Sequence, residues 1–407
     1  MSYWVLSMKQ VMRVNKVLKR INKSNKHNDF LPDSDGIVLV HMDRGGVKVS
    51  AERCTTDTVN VSAYIPWVDR NIDGGFEDFV VNQKSLDLAL SSGSTGARLL
   101  HVQPDSDDVS GECCVAVDGV RFTMSASPHD NNNSRFELLN TSELLSMFST
   151  TVGDLQGPLK FSDVVSTDDE SRLSLTRTLI EVDRKHVGNR KAHLVATDAY
   201  RLQVSKFAAF NSAGKRTVQI PSSARKALIA AMSRADDDTH VFFYGDDTTG
   251  QVIITDRTNV SWTVTWKHSA DTFVNWKKIV DQHGDVAFAP LFVAEELSKS
   301  LSIMRLMAQN DAGRVVMERV NSSTIKLSSK SILGSARCEV RARYGDKHKE
   351  EEGFKWAFNI SFMEQFVRLL PNDASVLLET NGNINSAVIT SPSLIDTLYI
   401  TMPMVIE

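Results

Sequence analysis

The chain has 407 residues, 42% of them hydrophobic, and a formal net charge of −4. At about 150 residues per domain, that length predicts about three domains, each large enough to bury a core. No apolar run approaches the roughly 18 residues of a membrane span, so no membrane partner is expected, and the near-neutral total argues against a uniformly basic nucleic-acid binder.

The N-terminal stretch MSYWVLSMKQVMRVNK carries charge too early for the apolar centre of a signal peptide. KQVMRVNKVLKRI reads as a first amphipathic helix. Val11, Val14, Val17, Leu18 and Ile21 fall on one side at helical spacing, and Lys9, Arg13, Lys16, Arg20 and Lys23 fall on the other. Residues 9–26 hold seven Lys and Arg and no acid. Such a row is electrostatically costly unless an anion lies near it; the alternative is an ordinary solvated face.

Short alternating strands follow (VKVSAE, VNVSAYI), then VVNQKSLDLALSS, a strand running into a helix. ARLLHV, CCVAVD and VRFTMS complete this first part. SPHDNNNSRF is polar and turn-rich and marks a boundary. TSELLSMFSTTV reads as the next helix. HLVATD, QIPSSARKALIAAM, HVFFYG, QVIITD and SWTVTW come after it, and a second boundary falls near DQHGD. AEELSKSLSIMRLM is a helix, TIKLSS a strand, and DKHKEEEG a solvated hairpin tip. AFNISFMEQFVRLL, SVLLET, SAVITS and LYITM close the chain.

Three of these segments share one pattern: an apolar strand, an Asn or Pro, a Ser within three residues, then an amphipathic helix. Asn82, Pro221 and Asn359 occupy the same place in it, at intervals of 139 and 138 residues. An earlier helix precedes the middle strands of each copy. The chain therefore reads as three copies of one unit of roughly 130 residues, with two helices and about eight strands each. The expected domains are 1–127, 134–280 and 285–407, in an α+β fold with antiparallel sheets. Arg225, Lys226 and Arg234 in the second copy, and Lys299, Arg305 and Arg368 in the third, add cations to the helices. Together with the first helix they fit one surface that touches phosphates without reading bases.

Cys54, Cys113, Cys114 and Cys338 show no C-x-x-C spacing, and adjacent Cys113 and Cys114 do not suit a mutual bridge. A reduced, cytoplasmic protein without a metal or other cofactor is expected. HLVATDAYRLQV, from His193 to Val204, places Asp198, Tyr200 and Arg201 after a clean strand. An acid or base needs a convergent partner. His193 lies five positions from Asp198, and an odd separation in a strand puts the two on opposite faces. No G-x-S-x-G, P-loop, G-x-G-x-x-G or H-E-x-x-H occurs. Asp236–Asp238 and Asp246–Asp247 stand in turn contexts. Asp198 is expected to accept backbone hydrogen bonds in the turn, and Arg201 either to pair with a carboxylate, the favoured reading, or to line a cleft. No catalytic residue is assigned.

LVATDAYRL (Leu194 to Leu202), YITMPM (Tyr399 to Met404) and the three like units together resemble the bacterial sliding clamps, the beta subunits of the DNA polymerase III holoenzyme. The resemblance covers the whole length and is that of a divergent member. It implies a head-to-tail dimeric ring of six domains, with twelve helices around a central hole and the sheets outside. The implied partners are sequence-independent duplex DNA, the replicative polymerase, the clamp loader, other proteins with clamp-binding motifs, and a second copy. The implied place is the cytoplasm, on the nucleoid.

The same resemblance implies a peptide cleft built from Leu175, Thr197, Ala199, Tyr200, Arg201, Leu202, Val274, Lys278, Ile279, Ile400, Met402, Pro403 and Met404. DNA-facing positions are Lys9, Arg13, Lys16, Arg20, Lys23, Arg225 and Lys226. The ring interface falls to Phe122 and Met124 in an edge strand and to Leu306 and Met307 on a helix. The family commonly has Gly-His where Ala199-Tyr200 stands, and F-P-D-Y-R-R where FVNWKK (Phe273 to Lys278) stands; both departures alter the pocket wall. Two other readings remain: a strand-rich enzyme with its site around residues 193–204, and a peptide-binding adaptor that does not encircle DNA.

Overall fold

A computed structural model of the chain describes residues 3–23, 37–42, 46–54, 57–66, 69–71, 79–82, 97–103, 111–117, 120–128, 145–182, 190–211, 216–246, 248–282, 286–308, 312–332, 334–344, 354–381, 385–394 and 396–406. The helices used here are α1 (Met8–Lys23), α2 (Val152–Val165), α3 (Ser222–Met232), α4 (Trp276–Asp281), α5 (Ala294–Ala308) and α6 (Ile360–Val367). The expected helix in LDLALSS, the charged tip DKHKEEEG and the centre of DQHGD lie outside the described residues. Among the described residues no helix is long and apolar enough to cross a membrane.

The chain forms two compact units. The first comprises Met1–Leu159, Glu181–Arg190 and Ala208–Ala270; the second comprises Lys160–Ile180, Lys191–Phe207 and Asp271–Glu407.

The first unit is built on a 13-stranded sheet. Its middle is made by strand Ser261–Lys267 pairing antiparallel with strand Thr58–Pro66, with Val264 opposite Val61. One sheet therefore joins strands from either side of the polar SPHDNNNSRF stretch. Helix α1 packs on strand Gly46–Cys54 and on α3. Its apolar stripe does the packing: Val14, Val17 and Leu18 are buried, and Lys16 between them is exposed. Trp262 and Trp266 are fully buried, and each indole N–H is satisfied, by Asp256 Oδ2 at 3.3 Å and by the Gln219 carbonyl at 2.8 Å. Gly250 is required beneath Trp266, because a Cβ there would stand 2.3 Å from a ring carbon.

TSELLSMFSTTV differs from its expectation. Leu145–Thr151 is a strand, and the helix starts after it at Val152. Met147, Phe148, Ser149 and Thr150 are all buried, so this run is covered on both faces and lacks the exposed side of a surface helix. The Phe148 ring stacks on Phe243 at 4.4 Å. Thr151 then opens α2: its hydroxyl donates to Asp154 Oδ2 at 2.8 Å and accepts the Asp154 N–H at 3.2 Å.

The second unit holds the strand order Thr178–Val182, Arg190–Thr197, Arg201–Ala209, Thr397–Thr401, Ala387–Thr390, Ser375–Thr380, Pro290–Val293, Arg343–Tyr344. A four-stranded sheet runs Gly334–Arg341, Thr324–Ser331, Arg314–Arg319, Lys355–Asn359. Helices α5 and α6 pack on each other and on these strands. Leu297, Leu301 and Met304 from α5 meet Met363 and Phe366 from α6 in one apolar core with Trp356, Phe358 and Tyr399. Asn359 caps α6, its Oδ1 accepting the Ser361 N–H at 2.9 Å, and Pro221 takes the same place before α3. The repeated Asn/Pro-then-Ser pattern is thus a helix-start signal at both sites.

Candidate functional site

The stretch from His193 to Val204 forms a strand, a tight turn and a second strand within the second unit. Asp198 organises the turn. Its Oδ1 accepts the N–H groups of Tyr200 and Arg201, both at 3.0 Å, and its Oδ2 accepts Arg201 Nε at 2.8 Å. The Thr197 hydroxyl donates to the Arg201 carbonyl at 2.6 Å and accepts the Ala199 N–H at 3.1 Å. These bonds force Ala199 to a φ of 78°, the left-handed region that favours glycine. Tyr200, at the tip, is 59% exposed.

Beyond the turn the strand alternates. Leu202 and Val204 enter an apolar cluster with Leu179, Val195, Phe273, Trp276, Val388 and Ile400, against which Val274, Ile279, Val280 and Leu398 pack partly buried. The register explains the gathering: Leu202 lies opposite Ile400, Val204 opposite Leu398, and Ile400 opposite Val388. Helix α4 supplies Trp276, with the His193 ring 5.2 Å from it on one side and Lys277 Nζ 5.3 Å from its ring centre. Asn275 caps this helix through the Lys278 N–H at 3.4 Å. Met402 is 42% exposed, and its N–H donates to the Tyr200 carbonyl at 2.8 Å. The Met404 N–H donates to Ala357 at 2.8 Å. The C-terminal segment is thereby tied to the turn and to the strand Lys355–Asn359.

Arg201 belongs to the other face. It is buried, and its guanidinium donates to Gln365 Oε1 and to the Val164 carbonyl, the latter at 2.8 Å, and stacks 4.4 Å over the Phe362 ring. Its expected place in the cleft is corrected, because strand alternation sends it away from Leu202. Tyr399 lies on that same inner side. Its hydroxyl donates to the Phe362 carbonyl at 3.2 Å, and burial pushes its pKa from 10.0 up to about 12, against the lowering pull of Arg201.

The expected cleft residues thus divide. Leu202, Val274, Ile279 and Ile400 share the cluster; Tyr200, Met402, Pro403 and Met404 are not among its members and lie in the turn and the C-terminal tail. Thr197 is buried and spends its hydroxyl on the turn. Ala199 is exposed at the turn, and Lys278 is exposed on α4. Leu175 is buried in the single helical turn Leu173–Thr176, outside the cluster's members. Leu179, Val195, Val204, Phe273, Trp276, Val280, Val388 and Leu398 were not in the expected set. Counting two positions on from Leu202 and two back from Ile400 finds Val204 and Leu398; no local signal brings in Val388.

Of the expected DNA-facing residues, Lys16 is exposed on the polar side of α1, and Lys226 is exposed on α3. The side chains of Lys9, Arg13, Arg20 and Lys23 lie outside the described residues. Arg225 is corrected: it is fully buried, with Nη2 3.4 Å from the Ser222 hydroxyl. Helical spacing aligns it with Leu228 and Met232, both buried, while Lys226 points the other way. Phe122 and Met124 lie in strand Val120–Pro128, opposite Val115 and Cys113. Among the described residues only positions 126–128 of that strand pair on its second side, so the half carrying Phe122 and Met124 has one neighbour. Leu306 on α5 is 71% exposed, and Met307 is half-buried. Among the described residues no group of three or more His, Cys, Asp or Glu is placed to hold a metal.

The fold is that of the DNA polymerase sliding clamps. The beta subunit of DNA polymerase III from Thermotoga maritima superposes with a TM-score of 0.81 at 15% identity, over 100% of both chains. A sliding clamp from Bartonella birtlesii, solved bound to griselimycin, gives 0.80 at 17% identity over 100% of both chains. A DNA polymerase sliding clamp from Bacillus subtilis gives 0.78 at 14% identity, again over 100% of both chains. No protein-family model and no curated protein matches the chain by sequence.

Proposed function

We propose that the chain is a DNA sliding clamp, a processivity factor that encircles duplex DNA and tethers a polymerase and other clients. The observation that carries this reading is the likeness of fold over the whole of both chains, with a TM-score of 0.81. In this reading residues 1–127, 134–280 and 285–407 are three like domains. Two copies close head to tail into a ring, with Phe122, Met124, Leu306 and Met307 at the joint. The helices face the duplex.

A closed ring cannot leave DNA sideways, so its contacts with phosphates need only be weak. Loose Lys and Arg contacts exchange for equivalent ones at each step, which permits sliding. Clients dock a short apolar motif on the cluster around Leu202, Trp276 and Ile400, against the exposed Tyr200 and Met402. Flexible Met side chains let several motifs pack there. Tethering keeps the polymerase at high local concentration. The protein itself carries out no chemical step, and loading falls to a separate ATP-driven machine.

Light scattering should show a dimer, and the protein should stay on circular DNA and be lost after linearisation. A monomer that binds clamp-binding peptides but not circular DNA would make it an adaptor instead. Griselimycin, bound to the Bartonella birtlesii clamp, is a ready probe: it should compete with a clamp-binding peptide. Reversing Lys16 and Arg20 to Glu should sharply weaken retention and lower its salt dependence. Unchanged retention would remove α1 from the DNA-facing surface.

A further inference from the structure

Glu364 lies on α6 and is 95% buried by the complement of its 5% exposure. Its Oε2 receives Arg305 Nη1 from α5 at 3.2 Å and stands 3.8 Å from Nη2 of Arg368, one turn further on. Its Oε1 is buried and has no hydrogen-bond partner. The two arginine side chains, by contrast, are 43% and 60% exposed. Each guanidinium carries five donors in a planar fork. One nitrogen of each is directed at the carboxylate, which leaves the rest of each fork available to solvent.

A buried carboxylate is costly unless paired, and removing a partner strands it. An arginine that moved fully onto an outside anion would weaken the pairing of Oε2 while Oε1 already has none. The arrangement therefore ties two cations to one anion and presents one net positive charge where the arginines alone would present two. The contrast with residues 9–26, which hold seven cations and no acid, is direct.

We propose that Glu364 is an electrostatic brake on phosphate contact. It holds Arg305 and Arg368 at the helix surface, so that they touch a DNA backbone loosely and release it. This rests on the reading of the chain as a DNA clamp whose helices face the duplex. Glu364 is a positioning residue in this role: it sets how strongly two cations engage phosphate without touching DNA itself.

The test is binding of the full chain to a short duplex, followed by fluorescence anisotropy at stepped salt. Glu364→Gln keeps the side-chain shape and frees both arginines. Affinity at low salt should rise several-fold, and the slope of log K against log salt should steepen by about 1 to 2 units, near 0.9 per added phosphate contact. Unchanged or weaker binding by a variant that still folds overturns the proposal. Arg305→Gln alters only a half-exposed group and guards against misfolding of the first variant. With the brake in place it should lower affinity less than about two-fold, whereas loss of a full contact, a slope change of ~0.9, overturns the proposal. The Lys16 and Arg20 reversal in the same assay separates the two readings. If it weakens binding while Glu364→Gln has no effect, the brake alone is wrong. If the wild-type protein is not retained on circular DNA, the clamp reading falls and the brake with it.

Discussion

The two faces of the strand Arg201–Ala209 have opposite fates. One face sends Leu202 and Val204 into an apolar cluster edged by the partly buried Val274, Ile279, Val280 and Leu398. The other sends Arg201, Gln203 and Ser205 inward, all buried, where Arg201 joins α2 and α6 through Val164 and Gln365 and the Ser205 hydroxyl accepts from Thr397 at 3.0 Å. Adjacent residues thus contribute to an apolar cluster and to the polar frame behind it. Polar residues beside a candidate site are not thereby part of it; the Asp198–Arg201 pair that suggests chemistry is a brace.

The largest expected effect breaks the frame. Arg201→Ala removes three polar contacts and leaves Asp198 partly buried without its cation, so chemical denaturation should show a loss of about 3 kcal/mol. Peptide binding should fail only as the fold does. A variant that keeps its stability and loses peptide binding would return Arg201 to the cleft.

Tyr399 tests the same inner face by pH. Its folded pKa lies above the unfolded value, so its contribution is complete below pH 10.0 and is lost as pH rises toward about 12. Alkaline titration should cost about 2–3 kcal/mol over that window. Tyr399→Phe should flatten it, as followed by circular dichroism.

Tyr200→Ala addresses the proposed docking face. Tyr200 is exposed, so stability should change by less than about 0.5 kcal/mol. Affinity for a clamp-binding peptide should fall about ten-fold by calorimetry; an unchanged affinity would count against the rim assignment. The smallest effect belongs to Ala199→Gly. It relieves the left-handed backbone at a cost in unfolded-state entropy, and the net gain should be about 0.5 kcal/mol. A loss on thermal unfolding would mean that the turn is not strained at Ala199.

Much of this was legible in order along the chain. The helix start at Asn359 carries a side-chain cap, Pro221 opens α3 with its fixed φ, and the hydrophobic stripe of α1 has helical spacing; each is encoded within a few residues. TSELLSMFSTTV misleads because its apolar run matches a helix face, while burial on both sides, which no local pattern records, makes it a strand. Arg225 misleads in the converse way. Its charge suggests a surface, but its position in register with Leu228 and Met232 buries it.

Local order along the chain specifies the predominance of antiparallel strands, the turn at Asp198 and the apolar positions on either side of it. Each depends on periodicity or on hydrogen bonds between residues a few positions apart. Which of those apolar positions share one cluster follows from long-range strand pairing. Leu202 meets Ile400 and Val388 because strands nearly 200 residues apart fall into register. The tertiary structure also decided which cations face outward, and it set Arg305 of α5 against Glu364 of α6. Pairing over such distances is fixed by the packing of whole sheets and helices, a property that no short window of residues contains.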